Sequence, residues 1–253
     1  MELANLTWPE AKEAISRARV ALLPIGSTEQ HGPHLPLGTD HLTAAWIARE
    51  AARQGGFLLL PTVPVGVSVH HRQFWGTLWV EPEVLRAYVE GIARALAYHG
   101  LKKFVLVNGH GGNTPALMDA ARRLRDEGIF AFVYVWWRAV EEEIRKVLED
   151  SGGHAGELET SVVWHIAPEL VHPDKFPEAA AQAAPAWGRR IHGVEVGYDT
   201  VDFAAAGCVG APTKASPEKG RTILEAAVNK LLRFGKWLAE APLEELASKP
   251  HKP

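Results

Sequence analysis

The chain has a single cysteine, Cys208, in 253 residues, so no disulfide can form within it and a zinc site built on several thiolates is excluded. Such usage fits a reducing compartment. An excess of either charge is also lacking. Lys and Arg number 27 against 30 Asp and Glu, a formal net charge of -3, which leaves no electrostatic footprint for nucleic acid or an anionic membrane. No apolar run approaches the roughly 20 residues that span a bilayer, and acidic Glu2 stands where a signal peptide would be basic. The protein is expected in the cytoplasm, with neither nucleic acid nor membrane as partner. There is no internal repeat and no linker; with 47% hydrophobic and 23% charged residues the composition is that of a folded globular chain. What stands out is histidine, present 12 times.

Apolar runs of strand length alternate with amphipathic segments that carry helix signals. Thr7-Trp8-Pro9-Glu10 opens a short helix ending near Arg19, and Val20 to Ile25 reads as a buried strand. Asp40 to Gln54 reads as a helix closed by Gly55-Gly56, and Phe57 to Val63 as a second strand. Pro82 opens a helix to His99, followed by a strand from Lys103 to Val107. Thr114-Pro115 starts a helix to about Glu127. Ile129 to Trp136 predicts a strand buried on both faces, with another helix to Glu149. Residues 168–215, rich in Pro, Gly and Ala, read as a cover with a strand pair near Val194 to Val201. Ser216-Pro217-Glu218 caps a long helix to about Glu240. This order predicts the α/β class, with a mostly parallel sheet and helices on both faces. A single domain is expected over 1–253, with 249–253 as a frayed tail.

Seven of the twelve histidines fall in four short polar blocks beside predicted strands or in loops, so the blocks are expected to converge at the sheet's carboxyl end. The first runs from Gly26 to His41. Its glycines and prolines hold Glu29, His31, His34, Asp40 and His41 in a rigid irregular loop. Carboxylate with imidazole suits zinc, manganese or iron. Glu29 and His31, two apart in extended chain, project to one side, and the two oxygens of Asp40 can bridge two ions. Asp40 as a plain helix N-cap is the bland alternative.

The second block, Asn108-Gly109-His110-Gly111-Gly112-Asn113, places His110 in a glycine turn between strand and helix. Such a turn can cradle phosphate with backbone amides, although it matches neither of the familiar nucleotide motifs; His110 as a metal ligand is the better use. In the third block, His154 precedes a helix whose first turn carries Glu157 and Glu159 on different sides. Acids there also complement the helix dipole. His154 is a candidate general acid or base. The fourth, Ser68 to Thr77, holds His70, His71, Arg72 and Trp75 and reads as a pocket wall or an oligomer contact.

Together the blocks resemble the creatininase family of amidohydrolases. Glu29-x-His31-Gly32-Pro33-His34-Leu35-Pro36 with Asp40, then Asn108 to Asn113, then His154-Ala155-Gly156 with Glu159-Thr160-Ser161, come in that family's order and approximate spacing, over roughly residues 5 to 240. The resemblance implies a three-layer α/β/α sandwich, a centre of two divalent ions (zinc first, manganese or iron otherwise) and a homohexamer. Carried over, Glu29 and His110 hold one ion, His31 the other, and Asp40 bridges them. Creatininase supplies a further glutamate two residues beyond its loop histidine; Gly112 stands there, so Glu159 is assigned to complete the second site. Gly153 and Asp150 replace further creatininase positions, which argues against creatinine as substrate.

The implied reaction is hydrolysis of a C–N amide bond, cyclic amide or formamide, in a small molecule by a metal-bridging hydroxide. His154 is assigned to protonate the departing nitrogen, and Glu157 to orient His154 or move the proton. His34, His71, Trp75 and Trp137 are assigned to substrate. Arg72 or Arg138 would serve a phosphate-bearing one. Other family activities, deformylation of a formylamino-pyrimidine nucleotide and trimming of a precursor peptide, are the alternatives. From another class, the alternative is a phosphate- or nucleotide-binding module using the Gly109 to Gly112 loop.

Overall fold

The computed structural model describes residues 1–150 and 153–249; the expected frayed tail lies, from Pro250 onward, outside the described residues. Helix α1 (Trp8–Arg17) begins at a capping box in which Thr7 and Glu10 satisfy each other's end of the helix. It leads into β1 (Ala21–Ile25), buried throughout. Then come α2 (Thr39–Gly55), ended by Gly56 in the left-handed region, and β2 (Leu58–Leu59). Next are α3 (Pro82–Tyr98), β3 (Lys103–Asn108), α4 (Thr114–Asp126) and β4 (Phe130–Val135). The short helices α5 (Trp136–Ala139) and α6 (Glu141–Val147) precede α7 (Glu157–Ile166). The cover holds α8 (Phe176–Ala181) and a hairpin of β5 (Arg190–Ile191) and β6 (Val194–Glu195). The last long helix is α9 (Pro217–Glu240), with the Ser216 side chain accepting the Lys219 N–H at its start.

The main sheet is parallel, ordered β2-β1-β3-β4. Its side chains alternate between two apolar layers, as the two-residue strand period requires. Leu22, Val105, Val107 and Phe130 join Ile47 and Ala51 of α2, Val162 of α7, and Ile223, Leu224 and Leu231 of α9. Leu23, Ile25, Phe104 and Leu106 join Leu85 and Val89 of α3 and Leu117 and Leu124 of α4. The result is a three-layer α/β/α sandwich. Each large apolar side chain so buried is worth about 1.5–3 kcal/mol. Among the described residues no helix is long and apolar enough to cross a membrane.

Four local expectations differ from what is observed. The second strand shrinks to Leu58–Leu59, with Val63 left as a lone bridge to Ile25, because Pro61 and Pro64 interrupt the ladder. β4 is an edge strand, so its outer half is only partly buried, and Trp136 already belongs to α5. The helix predicted after it breaks at Val140 into two. The cover's strand pair lies at 190–195, so that only its second strand, Val194–Glu195, falls within the expected range.

In the parallel register Ile25 faces Asn108, so the blocks that follow β1 and β3 leave the sheet side by side. That alignment sets up the site.

Candidate metal centre

Two close approaches bring the first two blocks together. A Cβ on Gly109 would lie 2.2 Å from the Asp40 carbonyl oxygen, so only glycine lets the end of β3 pass against the first turn of α2. Asp40 is buried in that turn, where the helix amino end favours a carboxylate. His110 is aimed by its surroundings: its N–H donates to Asn108 Oδ1 at 3.1 Å, and its ring Nε2 donates to the Val67 carbonyl at 3.0 Å. Nδ1 therefore faces Asp40 Oδ2 at 3.0 Å and Glu29 Oε1 at 3.2 Å.

His31 is turned the other way. Its Nδ1 donates to the Glu29 carbonyl at 3.1 Å, leaving Nε2 3.1 Å from Asp40 Oδ1 and 3.6 Å from Glu159 Oε2. Glu159 is held by the Ala155 N–H, which reaches Oε2 at 2.5 Å from a residue whose φ is 50. A non-glycine residue rarely adopts that left-handed conformation, and here it turns the chain from His154 into α7. The two oxygens of Asp40 thus serve different partners. Ligand atoms of Glu29, Asp40 and His110 lie within 4.8 Å of one another, and so do those of His31, Asp40 and Glu159.

Hydrogen bonding within the protein does not satisfy this cluster. Both carboxylate oxygens of Glu29, Asp40 Oδ2 and His31 Nε2 are buried with no hydrogen-bond partner, a costly condition that a bound cation removes. The electrostatics agree. Burial opposes ionisation of Glu29 and Asp40, yet His110 and His31 beside them hold both carboxyls below the usual carboxylate range. Burial likewise opposes a charge on His31, but Asp40 overrides it and raises the imidazole to about 9. Glu159 is pushed up to about 7 by burial. The carboxylates and imidazoles are poised to exchange protons for a divalent cation, and this donor set suits one.

His154 closes the centre from the other side. Its Nε2 lies 2.8 Å from the Gln30 carbonyl, its Nδ1 4.0 Å from Glu29 and from Glu159, and its ring lies 4.2 Å from that of His31, tilted by 34°. The spacing of Glu29, His31 and His154 would also admit an ion. Burial, with His31 and His71 nearby, keeps the His154 ring far below its ordinary value. The cover holds it in place through paired backbone hydrogen bonds with Val209. A cavity of about 640 Å³ opens onto these groups, bounded by Trp136, Trp137, Arg138, Trp187 and Tyr198.

The other expected site residues divide. Trp137 and His71 line the cavity; His71 Nε2 lies 3.3 Å from Glu29 Oε1 and its Nδ1 accepts from Gln30 at 2.8 Å, so it stands between Glu29 and the cavity. His34 does not line it. Its ring is buried behind Ala155, with Nε2 2.9 Å from Thr160 Oγ1, and burial lowers it to about 4. Trp75 is 97% exposed and outside the cavity, on a turn closed by Gly76 in the left-handed region. Glu157 points away: its carboxylate meets Lys219 Nζ at 2.6 Å and accepts the N–H groups of Glu149 and Asp150 at 3.0 and 2.6 Å. Two groups had no sequence signal, Trp187 and Tyr198 from the cover. Gln30, inside the first block, holds His71 through its side chain and His154 through its carbonyl, a role to which its residue type gives no clue.

A buried carboxylate–imidazole cluster at the carboxyl end of a parallel α/β/α sheet defines a scaffold with a centre suited to divalent metal. The family model for creatinine amidohydrolase matches residues 4–234, and the chain belongs to that creatininase family. It is 36% identical to the mycofactocin precursor peptide peptidase of Mycobacterium ulcerans, over 91% of this chain and 86% of the relative. To the creatinine amidohydrolase of Pseudomonas putida it is 29% identical, over 89% and 92%. To the 2-amino-5-formylamino-6-ribosylaminopyrimidin-4(3H)-one 5'-monophosphate deformylase of Methanothermus fervidus it is 26% identical, over 87% and 84%. A crystal structure of creatininase superposes with TM-score 0.81 at 26% identity, covering 95% of this chain and 98% of that one. Solved creatininases include a manganese form and a Zn-Zn form of a mutant, each with TM-score 0.77, 27% identity and coverage of 92% and 96%. The protein is a creatininase-family hydrolase with a centre suited to divalent metal.

Proposed function

We propose that the chain, as one creatininase-like domain over 1–253, is a dinuclear metal-dependent amidohydrolase that cleaves an amide C–N bond of a small, peptide-like molecule. The observation that carries this is the division of Asp40: one oxygen faces His110, with Glu29 on the same ring nitrogen, and the other faces His31. Glu29 and His110 would hold one ion, His31 and Glu159 the other, with Asp40 between. Zinc suits these donors first, with manganese or iron as substitutes. When bound, such a pair supplies Lewis acidity and a water acidified toward neutrality.

The chain's own groups do the rest. With Nε2–H given to the Gln30 carbonyl, His154 offers an unprotonated Nδ1 to the cavity, so it takes a proton there and returns it to the departing nitrogen. Gln30 fixes the ring's orientation through its carbonyl and, through its side chain, holds His71 beside Glu29. Trp137 and Trp187 provide flat apolar walls that exclude water. A cavity of about 640 Å³ suits a substrate of several residues better than a ring the size of creatinine. The similarity to a precursor peptide peptidase supports the same choice. A cytoplasmic homohexamer is the form we propose, on the family likeness and the cysteine usage.

Elemental analysis of untagged protein grown in metal-replete medium tests the reading: two ions per chain are expected. Hydrolysis of short peptides and N-formyl amides is expected to stop on chelation and return with zinc or manganese. Absence of metal from folded, metal-replete protein would overturn it in favour of the phosphate-binding alternative.

A further inference from the structure

Among the described residues Arg138 is the one lysine or arginine that lines the cavity, and it has no ion pair or hydrogen bond to any of them. Arg72, the alternative from sequence, is bound by Asp199 at 2.6 Å, and Lys219 by Glu157 and Glu149. Arg138 sits in α5, directly after β4 and next to Trp137, so the chain sets a cation beside an aromatic wall at the carboxyl end of the sheet. The cavity's three carboxylates, Glu29, Asp40 and Glu159, lie within the metal centre and face its imidazoles. They leave Arg138 without a counter-charge.

We infer that Arg138 is a specificity-determining residue that receives a carboxylate of the substrate, so that the preferred substrate is a short peptide or acylamino acid with a free carboxyl group near the scissile amide. This rests on the amidohydrolase reading and narrows its substrate class. A planar guanidinium matches a carboxylate through two parallel hydrogen bonds. A single cation balances the one charge of a carboxylate; a phosphate monoester, with nearly two, would call for a second lysine or arginine, which the described cavity lining does not contain.

The test uses matched probes: N-formylglycylglycine, its C-terminal amide and glycerol phosphate, with zinc-loaded wild-type protein, Arg138→Met and Arg138→Lys. Wild type is expected to favour the carboxylate over the amide by at least about tenfold in kcat/KM. Arg138→Met should bring the ratio near one, and Arg138→Lys should restore part of it. Calorimetric binding to the zinc-loaded His154→Ala protein gives the same comparison without turnover. If neither probe is hydrolysed but the carboxylate is still held more tightly in an Arg138-dependent way, the amidohydrolase reading fails and the carboxylate site stands. A preference that survives Arg138→Met, equal losses on both members of the pair, or tighter Arg138-dependent binding of glycerol phosphate would overturn the proposal.

Discussion

His110 and His154 both approach Glu29, His110 with Asp40 and His154 with Glu159 as the second carboxylate, yet their surroundings ask different things of them. His110 is locked by Val67 and Asn108 so that one nitrogen meets Glu29 and Asp40 at ligand distance, whereas His154 stands at 4.0 Å with a lowered affinity for protons. His110→Ala is expected to lose metal and all hydrolysis; His154→Ala should keep metal and lose about 10²- to 10⁴-fold in turnover. Metal content and kcat measured on both variants check this, and equal activity in the two would refute the assignment. Glu157 is a different case. Its carboxylate is a buried strut between Lys219 and the backbone before His154. Removing it by Glu157→Ala should cost about 3 kcal/mol, because Lys219 is partly exposed and can be rehydrated, and lower Tm by roughly 5–10 °C. Glu157→Gln should hold kcat within about threefold, since the amide oxygen still accepts the two N–H groups. A large loss of turnover in Glu157→Gln at unchanged metal content would return Glu157 to the catalytic role expected from sequence. That residue shows where sequence was insufficient: spacing placed Glu157 and Glu159 on different sides of α7, but not which side faced the centre. Glu29, His31 and His110 were legible because each lies within a few residues of a strand end, and Asp40 because it opens a helix at the close of the same polar block. Trp187 was not, because the cover that carries it is positioned by long-range pairing of Ala184 and Val209 rather than by local pattern.

At the scale of elements, helix starts were the clearest text: Thr7, Pro82, Thr114 and Ser216 all stand where helices begin, since caps and N-terminal prolines act locally. Strand lengths were less legible, because a strand is defined by its neighbours; β2 and β4, at the sheet edges, are where expectation and observation part. The crossing of α7 and α9 was invisible in sequence and matters to the site. A Cβ on Gly220 would lie 2.0 Å from the Ser161 carbonyl oxygen, so the start of α9 rests against the backbone of the helix that carries Glu159. Gly220→Ala must push the two helices apart, at a cost of about 1–3 kcal/mol. The expected outcome is a Tm lowered by several degrees with the second ion held more weakly than the first, read by thermal melting and metal titration. Unchanged Tm would show that α9 can shift freely and that the contact does not position Glu159.

For the molecule as a whole, the centre ties together the loop after β1, the first turn of α2, the loop after β3 and the first turn of α7, so metal binding should act on global stability. Anything that binds only the folded state adds about 2.7 kcal/mol at a hundredfold excess over its Kd, and for a chain of this size each kcal/mol moves Tm by roughly 2–4 °C. Chelation at neutral pH is therefore expected to lower Tm by about 5–10 °C, and the His110→Ala variant should be nearly indifferent to it. The pH dependence has a definite sign. Without metal, His31 is raised to about 9, so its contribution to stability is full below its ordinary value of 6.5 and is lost as pH rises through 9. Glu159, raised to about 7, acts in the same sense: what its protonated form contributes is present below 4.5 and lost on passing 7. With metal both groups must be unprotonated, so a higher pH removes a competitor instead of a support. The difference in Tm between zinc-loaded and chelated protein should widen steadily from about pH 6 to pH 9 at constant free zinc. A difference that stays constant or narrows over that range would mean that His31 and Glu159 do not exchange protons for metal, and would detach both from the second site.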